Sequence, residues 1–312
     1  MKAVVTGAAG FIGSQLTESL LADGHEVIGV DCFTDYYPRA AKERNLEPSR
    51  GHRAFRLVES RLQDVDLAPL LEGAGQVFHL AAQAGVRASW GREFAHYTDH
   101  NVLATQRLLE AARTAGGPRV VYASSSSVYG EAPALPLRED ARCEPVSPYG
   151  VSKLAAEHLG ILYHRNFGLP VVSLRYFTVY GPRQRPDMAF HRFLKAARDG
   201  EPVHVFGDGG QTRDFTFVSD IVAATRAAAD SGRPGGVYNV GGGERVVLNQ
   251  VLRQIEDVTG RRLTVIRDEV QKGDMRDTFA DTTAARRDLG FRSTVALAQG
   301  LEREWAWIRG QA

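Results

Sequence analysis

Cysteine is scarce in this chain: Cys32 and Cys143 are the only two. Two thiols cannot make a disulfide framework, which excludes the small disulfide-stapled scaffolds and points to a reducing setting. No stretch approaches the roughly 18 consecutive apolar residues that a membrane-spanning helix needs. Charge of one sign is missing too, since 38 Lys and Arg against 37 Asp and Glu leave a formal +1. No global field therefore favours nucleic acid or an anionic membrane as partner, and any anion site must come from locally placed arginines. The N-terminus runs directly into a strand-like segment without an apolar leader, so the expectation is a cytoplasmic protein. No metal site, internal repeat or low-complexity linker is expected. What is present is 312 residues with 43% apolar content, enough to bury a full core as one large or two modest domains.

Lys2 to Thr6 reads as a buried strand, and Gly7-Ala8-Ala9-Gly10-Phe11-Ile12-Gly13 then opens a helix running to about Ala22. Glycines at a strand-to-helix junction permit a tight turn and close approach of backbone to phosphate, at a helix N-terminus that favours anions. The spacing is GxxGxxG rather than GxGxxG. A second strand, Glu26 to Val30, ends in Asp31, 18 residues beyond Gly13. An acid there suits the adenosine ribose and repels a ribose phosphate, which favours NAD over NADP. A polar loop with Asp35, Tyr36 and Tyr37 follows, then strands at Ala54 to Val58 and Val77 to Leu80. His79 reads as a core histidine. Small residues after the fourth strand (Leu80, Ala81, Ala82, with Gln83) suit a cofactor lying over them. Phe94 to Ala115 reads as one long helix; Asn101 inside it either bonds backbone near the cofactor or is exposed.

Arg119 to Ala123 is a fifth strand running into Ser124-Ser125-Ser126-Ser127. In open parallel sheets ligands sit beyond the carboxyl ends of strands, so these hydroxyls belong either to a site or to an ordinary polar loop. Alternation of strands and helices implies a doubly wound parallel sheet. Tyr149 and Lys153 head the next helix, one turn apart on the same face. Bringing a Tyr pKa from about 10 towards 7 takes roughly 4 kcal/mol of preferential phenolate stabilisation, much of which a nearby cation supplies. A sixth strand spans Val171 to Tyr176, and the alternation then loosens. A helix around Met188 to Arg198, strands at Val203 to Phe206, Phe215 to Val218 and Val237 to Val240, and helices at Leu248 to Val258 and Leu297 to Ile308 suggest a smaller domain interleaved with returns to the sheet.

The three glycines, the serine-rich strand end, Tyr149/Lys153 and Arg175-Tyr176-Phe177-Thr178-Val179-Tyr180-Gly181-Pro182 together resemble the extended short-chain dehydrogenase/reductases, within them the nucleotide-sugar epimerases and dehydratases. Asp35-Tyr36-Tyr37, Ala84-Gly85-Val86-Arg87, Gln184-Arg185-Pro186-Asp187-Met188-Ala189 and Arg213-Asp214-Phe215-Thr216 narrow the resemblance to UDP-glucuronate 4-epimerases. UDP-glucose 4-epimerases commonly carry Asn in place of Thr178. The resemblance implies an NAD-binding Rossmann domain (1–176 with a return at 215–241) and a smaller UDP-sugar-binding domain (177–214 with 242–312). It further implies a homodimer packed through the long helices after the fourth and fifth strands, although such helices could equally face the chain's own core. Arg61 departs from the family, which usually has Asp there for the adenine pocket.

By resemblance, Tyr149, Lys153 and Ser125 are catalytic: Tyr149 exchanges the 4-hydroxyl proton, Lys153 lowers its pKa and holds the nicotinamide ribose, and Ser125 bonds the reacting oxygen. Gly7, Gly10, Phe11, Ile12, Gly13, Asp31, Leu80, Ala81, Ala82, Gln83, Asn101, Ser124, Tyr149, Lys153 and Tyr176 would receive NAD. The sugar nucleotide would meet Arg87, Ser126, Ser127, Thr178, Arg185, Phe206, Arg213, Asp274 and Arg276. In that set Arg213 and Arg276 clamp the diphosphate, Asp274 holds the ribose and Phe206 packs on the base. The family's 4,6-dehydratases carry Asp-Glu at 126–127 and its decarboxylases a Glu at 127. The two serines here cannot transfer protons near neutral pH, which argues against dehydration and, more weakly, against decarboxylation. The expectation is UDP-glucuronate 4-epimerisation, with rivals in a UDP-glucose or UDP-N-acetylhexosamine 4-epimerase, a UDP-glucuronate decarboxylase, and a non-catalytic NAD-binding sensor.

Overall fold

The computed structural model describes residues 1–131 and 134–311. Its first half alternates β1 (Lys2–Thr6), α1 (Phe11–Ala22), β2 (Glu26–Asp31), α2 (Arg39–Arg50), β3 (Phe55–Glu59), α3 (Ala68–Leu71) and β4 (Ala74–His79). Then come α4 (Phe94–Tyr97), α5 (Ala104–Thr114), β5 (Arg119–Ser125), α6 (Pro148–Phe167) and β6 (Val171–Tyr176). The second half holds β7 (Thr178–Tyr180), α7 (Ala189–Asp199), β8 (Val203–Phe206), β9 (Thr212–Phe217), α8 (Val218–Ser231) and β10 (Val237–Val240). It closes with β11 (Arg245–Val247), α9 (Leu248–Thr259), β12 (Val265–Asp268), α10 (Thr283–Leu289) and α11 (Leu297–Arg309).

Seven parallel strands in the order β10-β6-β5-β4-β1-β2-β3 form the large sheet, the doubly wound arrangement with its switch point between β1 and β4. Successive strand residues point to opposite faces, and each face has its own core. Val4, Ile28, Val77 and Val120 pack under Leu108 and Leu109 of α5. Ala3, Val5, Phe78 and Val121 pack under Leu16 and Leu20 of α1 and Ile221 of α8. That second cluster continues without a break into Phe190, Phe193, Val251, Ile255, Leu301 and Trp305 of the C-terminal helices. Both halves of the chain therefore share one core. Two small sheets complete the fold: β11-β9-β7, and the parallel pair β12-β8.

The sequence reading did not include α3, β7, α8, β11, β12 or α10, and three further segments differ from it. The segment between Tyr37 and the third strand, to which no element was assigned, holds a helix, α2. Its inward face packs through polar atoms: Lys42 Nζ donates to the Thr34 carbonyl (2.7 Å) and Asn45 Nδ2 to the Ala9 carbonyl (3.1 Å). Leu46 is the only large apolar residue of α2 that is buried, so no apolar period announces it. The long helix at 94–115 is interrupted by a π-helical turn at Thr98–Leu103 that carries Asn101, a local widening often found at functional sites. The strand expected at Phe215 to Val218 ends at Phe217, belongs to a small sheet, and Val218 already begins α8. His79 is a core histidine as read. Its ring bridges Thr6 Oγ1 (2.7 Å) and Thr105 Oγ1 (2.9 Å), and burial pushes its pKa down to about 3.

Candidate active site

Two clefts open beyond the carboxyl ends of the large sheet. The smaller, about 220 Å³, is lined by the Gly7–Gly13 turn, Asp31, Leu80 to Gln83, Ser124, Tyr149, Lys153 and Tyr176. Its floor needs glycine. Gly7 has φ +72°, and a Cβ there would lie 2.8 Å from the Ala81 nitrogen; one on Gly13 would lie 2.1 Å from the Gly7 carbonyl oxygen. Asp31 accepts the Ala9 N–H (3.0 Å) and the Phe33 N–H (2.9 Å). Each of its oxygens keeps a further lone pair for an incoming hydroxyl. Burial raises its pKa; the Phe33 N–H and Lys42 oppose that.

Asn101 is buried and settles the alternative left open above. Its Oδ1 accepts the Gln83 N–H (2.7 Å), and its Nδ2 donates to the Gln83 carbonyl (3.0 Å) and to Ser152 Oγ (2.9 Å). Ser152 in turn donates to the Tyr149 carbonyl (2.7 Å). Asn101 thus pins the cleft-lining loop after β4 to the first turn of α6 without lining the cleft itself. The Ser124 hydroxyl is spent inward, donating to Glu157 (2.6 Å), which also forms a buried ion pair with Arg175 (2.6 Å). Glu157 went unremarked in the sequence, because a carboxylate inside a helix normally reads as a solvated face.

The larger cleft, about 560 Å³, is lined by Ser124 to Ser127, Tyr149, Thr178, Arg185, Arg87, Phe206, Arg213 and Asp274 among others. Tyr149, Tyr176, Phe11, Ile12 and Arg185 stand in the walls of both clefts, whereas Lys153 lines only the smaller. α6 starts with Ser147 as N-cap, its hydroxyl accepting the Gly150 N–H (3.1 Å), and with Pro148 in the first turn. This start, favoured by both residue types, aims Tyr149 at the junction. Burial raises the Tyr149 pKa; Ser125 and the Arg185 charge oppose it. The Lys153 ammonium sits 4.5 Å over the Tyr122 ring, and burial brings its pKa down to about 7 against the pull of Glu157.

At the far end of the larger cleft, Arg87 pairs with Asp274 (2.6 Å) and lies 4.1 Å over the Phe206 ring. Arg213 donates through Nη1 to the carbonyls of Thr212 and Arg276, both at 2.9 Å. Arg276 is not brought to the site. Its side chain is 66% exposed and reaches Asp208 at 3.7 Å, while its backbone N–H meets Glu131 (2.8 Å). Arg61, where an adenine contact was in doubt, forms an ion pair with Asp99. Among the described residues no cluster of ligand-type side chains could hold a metal, and no helix is long and apolar enough to cross a membrane.

A doubly wound parallel sheet whose glycine-floored crevice shares a wall, Tyr149 included, with a second cleft defines an enzyme of the Rossmann class. The chain belongs to the NAD dependent epimerase/dehydratase family, whose model matches residues 3–241. Over 99% of its length it is 46% identical to an uncharacterized UDP-glucose epimerase of Bacillus subtilis (strain 168), covering 98% of that protein. It is 37% identical to the UDP-glucuronate 4-epimerase of Thermodesulfobacterium geofontis (strain OPF15), over 98% of this chain and 95% of that one. Among solved structures, the Bacillus cereus UDP-glucuronic acid 4-epimerase in complex with UDP-glucuronic acid and NAD matches with a TM-score of 0.96 at 42% identity, over 99% of both chains.

Proposed function

We propose that the chain is a UDP-glucuronate 4-epimerase, interconverting UDP-glucuronate and UDP-galacturonate through a transient 4-keto sugar with NAD retained. The observation that carries this reading is Tyr149 in the wall common to both clefts, with the serine-rich end of β5 on its sugar side and Lys153 on its dinucleotide side. The similarity to the T. geofontis and B. cereus proteins supports the choice of substrate. NAD fits the smaller cleft on the glycine cradle, where any Cβ at 7 or 13 would meet backbone, with Asp31 placed for the adenosine ribose. When bound, it supplies a reversible acceptor for the C-4 hydride.

Tyr149 takes the 4-hydroxyl proton and returns it to the inverted alcohol, with Ser125 bonding the same oxygen. Ser125 and Arg185 ease the ionisation of Tyr149, and Lys153 holds the nicotinamide ribose. The 4-keto uronate is a β-keto acid, which loses CO₂ when the breaking C–C bond aligns with the carbonyl π system. Ser126, Ser127 and Thr178 offer hydroxyls that hold the carboxylate out of that alignment, and Arg185 adds charge. Arg87, Arg213, Asp274 and Phe206 take the nucleoside diphosphate, with Arg276 beside Asp208 outside the cleft lining. In the same reading the dinucleotide unit is 1–176 with a return that begins at 218 rather than 215, because 215–217 belong to a small sheet. The sugar-binding unit comprises the remainder. A homodimer is supported by exposed Leu103, Val151, Leu162 and Phe167 on the outer side of the α5–α6 region, and a cytoplasmic setting by two free cysteines.

The B. subtilis relative favours a second reading, a UDP-glucose 4-epimerase. NAD-loaded protein assayed with both sugars decides between them. Epimerisation of the acid sugar without CO₂ release is expected. Turnover of UDP-glucose alone would replace the first reading with the second, and CO₂ release as the main outcome would make the chain a decarboxylase. A protein that binds NAD and turns over neither sugar would be the non-catalytic sensor.

A further inference from the structure

Arg185 is the arginine in the wall shared by both clefts, and it arrives already partnered. Its Nε donates to Asp187 Oδ1 (3.0 Å) and its Nη2 to Asp187 Oδ2 (2.9 Å). The Nε–Nη2 edge of the guanidinium, one of its two forks for a carboxylate, is thereby occupied. Nη1 has no protein acceptor among the described residues. Tyr36 fixes the arrangement from the other side. Its hydroxyl donates to the same Asp187 Oδ2 (3.3 Å), and its ring centre lies 5.9 Å from the guanidinium carbon.

The tyrosine has its own seat. Gly85 has φ +100°, and a Cβ there would lie 2.1 Å from the Tyr36 hydroxyl. Tyr97 holds that loop by donating to the carbonyls of Ala84 (3.0 Å) and Gly85 (2.7 Å). At its other end the 181–187 loop is tied to α1: Gln15 donates to the Pro182 carbonyl (2.9 Å) and Arg183 pairs with Glu18 (2.5 Å). Asp187 is held below the usual carboxylate range, its burial being outweighed by Arg185.

Resting on the epimerase reading, we propose that Asp187, seated by Tyr36, is a positioning residue that keeps the Nε–Nη2 fork of Arg185 away from the sugar carboxylate. The carboxylate then meets Arg185 at its Nη1 end, beside an Nη2 already engaged by Asp187. A 4-keto sugar must turn over in place before it is reduced from its other face. A bidentate arginine–carboxylate grip would add two charge-assisted hydrogen bonds to the pose and oppose that turn. Tight binding of one pose lowers KM without helping the step that follows. Asp187 trades affinity for rotation, and does so only when the sugar carries an acid.

The test compares the NAD-loaded wild type with Asp187→Asn and Tyr36→Phe on UDP-glucuronate and UDP-glucose. Calorimetric dissociation constants are measured beside kcat and KM. Asp187→Asn is expected to bind UDP-glucuronate about tenfold more tightly and to lower kcat and KM together by a similar factor. Tyr36→Phe should move the same way by about two- to threefold, and Asp187→Glu should restore much of the lost kcat. UDP-glucose should shift by at most about twofold in any variant, because it lacks the charged group. A weaker grip on UDP-glucuronate, or equal shifts for both sugars, would overturn the proposal and leave Asp187 a structural residue. Failure of the epimerase reading shows separately, as a wild type that binds the acid sugar without turning it over. The binding comparison still decides the role of Asp187 in that case.

Discussion

The dinucleotide cleft draws its walls mostly from residues 7–13, 30–42, 60–63 and 80–84, whereas the sugar cleft gathers side chains from 84–88, 124–127, 176–193, 204–215 and 273–278. The first is shaped by backbone: two glycines whose Cβ atoms have no room, a helix N-terminus, and one carboxylate. The second is shaped by side chains already bonded to one another, such as Arg87 with Asp274 and Arg185 with Asp187. A backbone site tolerates little change at few positions. A side-chain site spreads its specificity over many, each of modest weight.

Tyr149 belongs to both clefts, so its loss should produce the largest effect. Tyr149→Phe is expected to lower kcat by on the order of 10³-fold or more, with bound NAD, measured after release from the purified protein, unchanged. Retained turnover would break the assignment and with it the meeting of the clefts at this phenol. Next in size is a stability effect confined to the sugar side. Asp214 lies between the N–H groups of Gly242 and Ala280, and burial lifts its pKa from 3.8 to about 6. Its folded state holds a proton that the unfolded chain releases. That contribution is therefore complete below pH about 4 and is lost as pH rises through about 6, by about 3 kcal/mol at most. Urea unfolding of the wild type and Asp214→Asn at pH 4.5 and 6.5 measures it. The slope between the two pH values should flatten in the variant, and parallel slopes would dismiss the effect. Smallest is Asp31→Ala, which should weaken NAD about tenfold in a binding titration and narrow the preference over NADP. A variant that keeps full NAD affinity would show that the glycine cradle alone suffices.

The same contrast explains what the sequence made legible. Gly7, Gly13 and Asp31 act through local spacing, and strand alternation carried the large sheet, so both could be read without coordinates. α2 escaped because Lys42 and Asn45 bury polar groups where a period of apolar residues would have revealed a helix. Asn101 could not be assigned because its partners, Gln83 and Ser152, come from distant segments. Arg276 was placed on the diphosphate by resemblance; its exposed side chain lies near Asp208 and is not in the cleft lining. Tyr36 and Asp187 stood within recognisable motifs without a role, since neither spacing nor residue type shows that they meet across 151 positions. The spacing of Tyr149 and Lys153 was legible in the sequence, but not the Tyr122 ring over which the lysine ammonium lies.

A wall with a cleft on either side has two tenants. Any change to Phe11, Ile12 or Tyr176 made to admit a different sugar also reshapes the bed of the dinucleotide, so variation there is doubly constrained. Room for new substrates lies around Arg192, Phe193, Gln211 and Val246, which line the larger cleft and not the smaller. Redesign of substrate range would start there, leaving the redox chamber untouched.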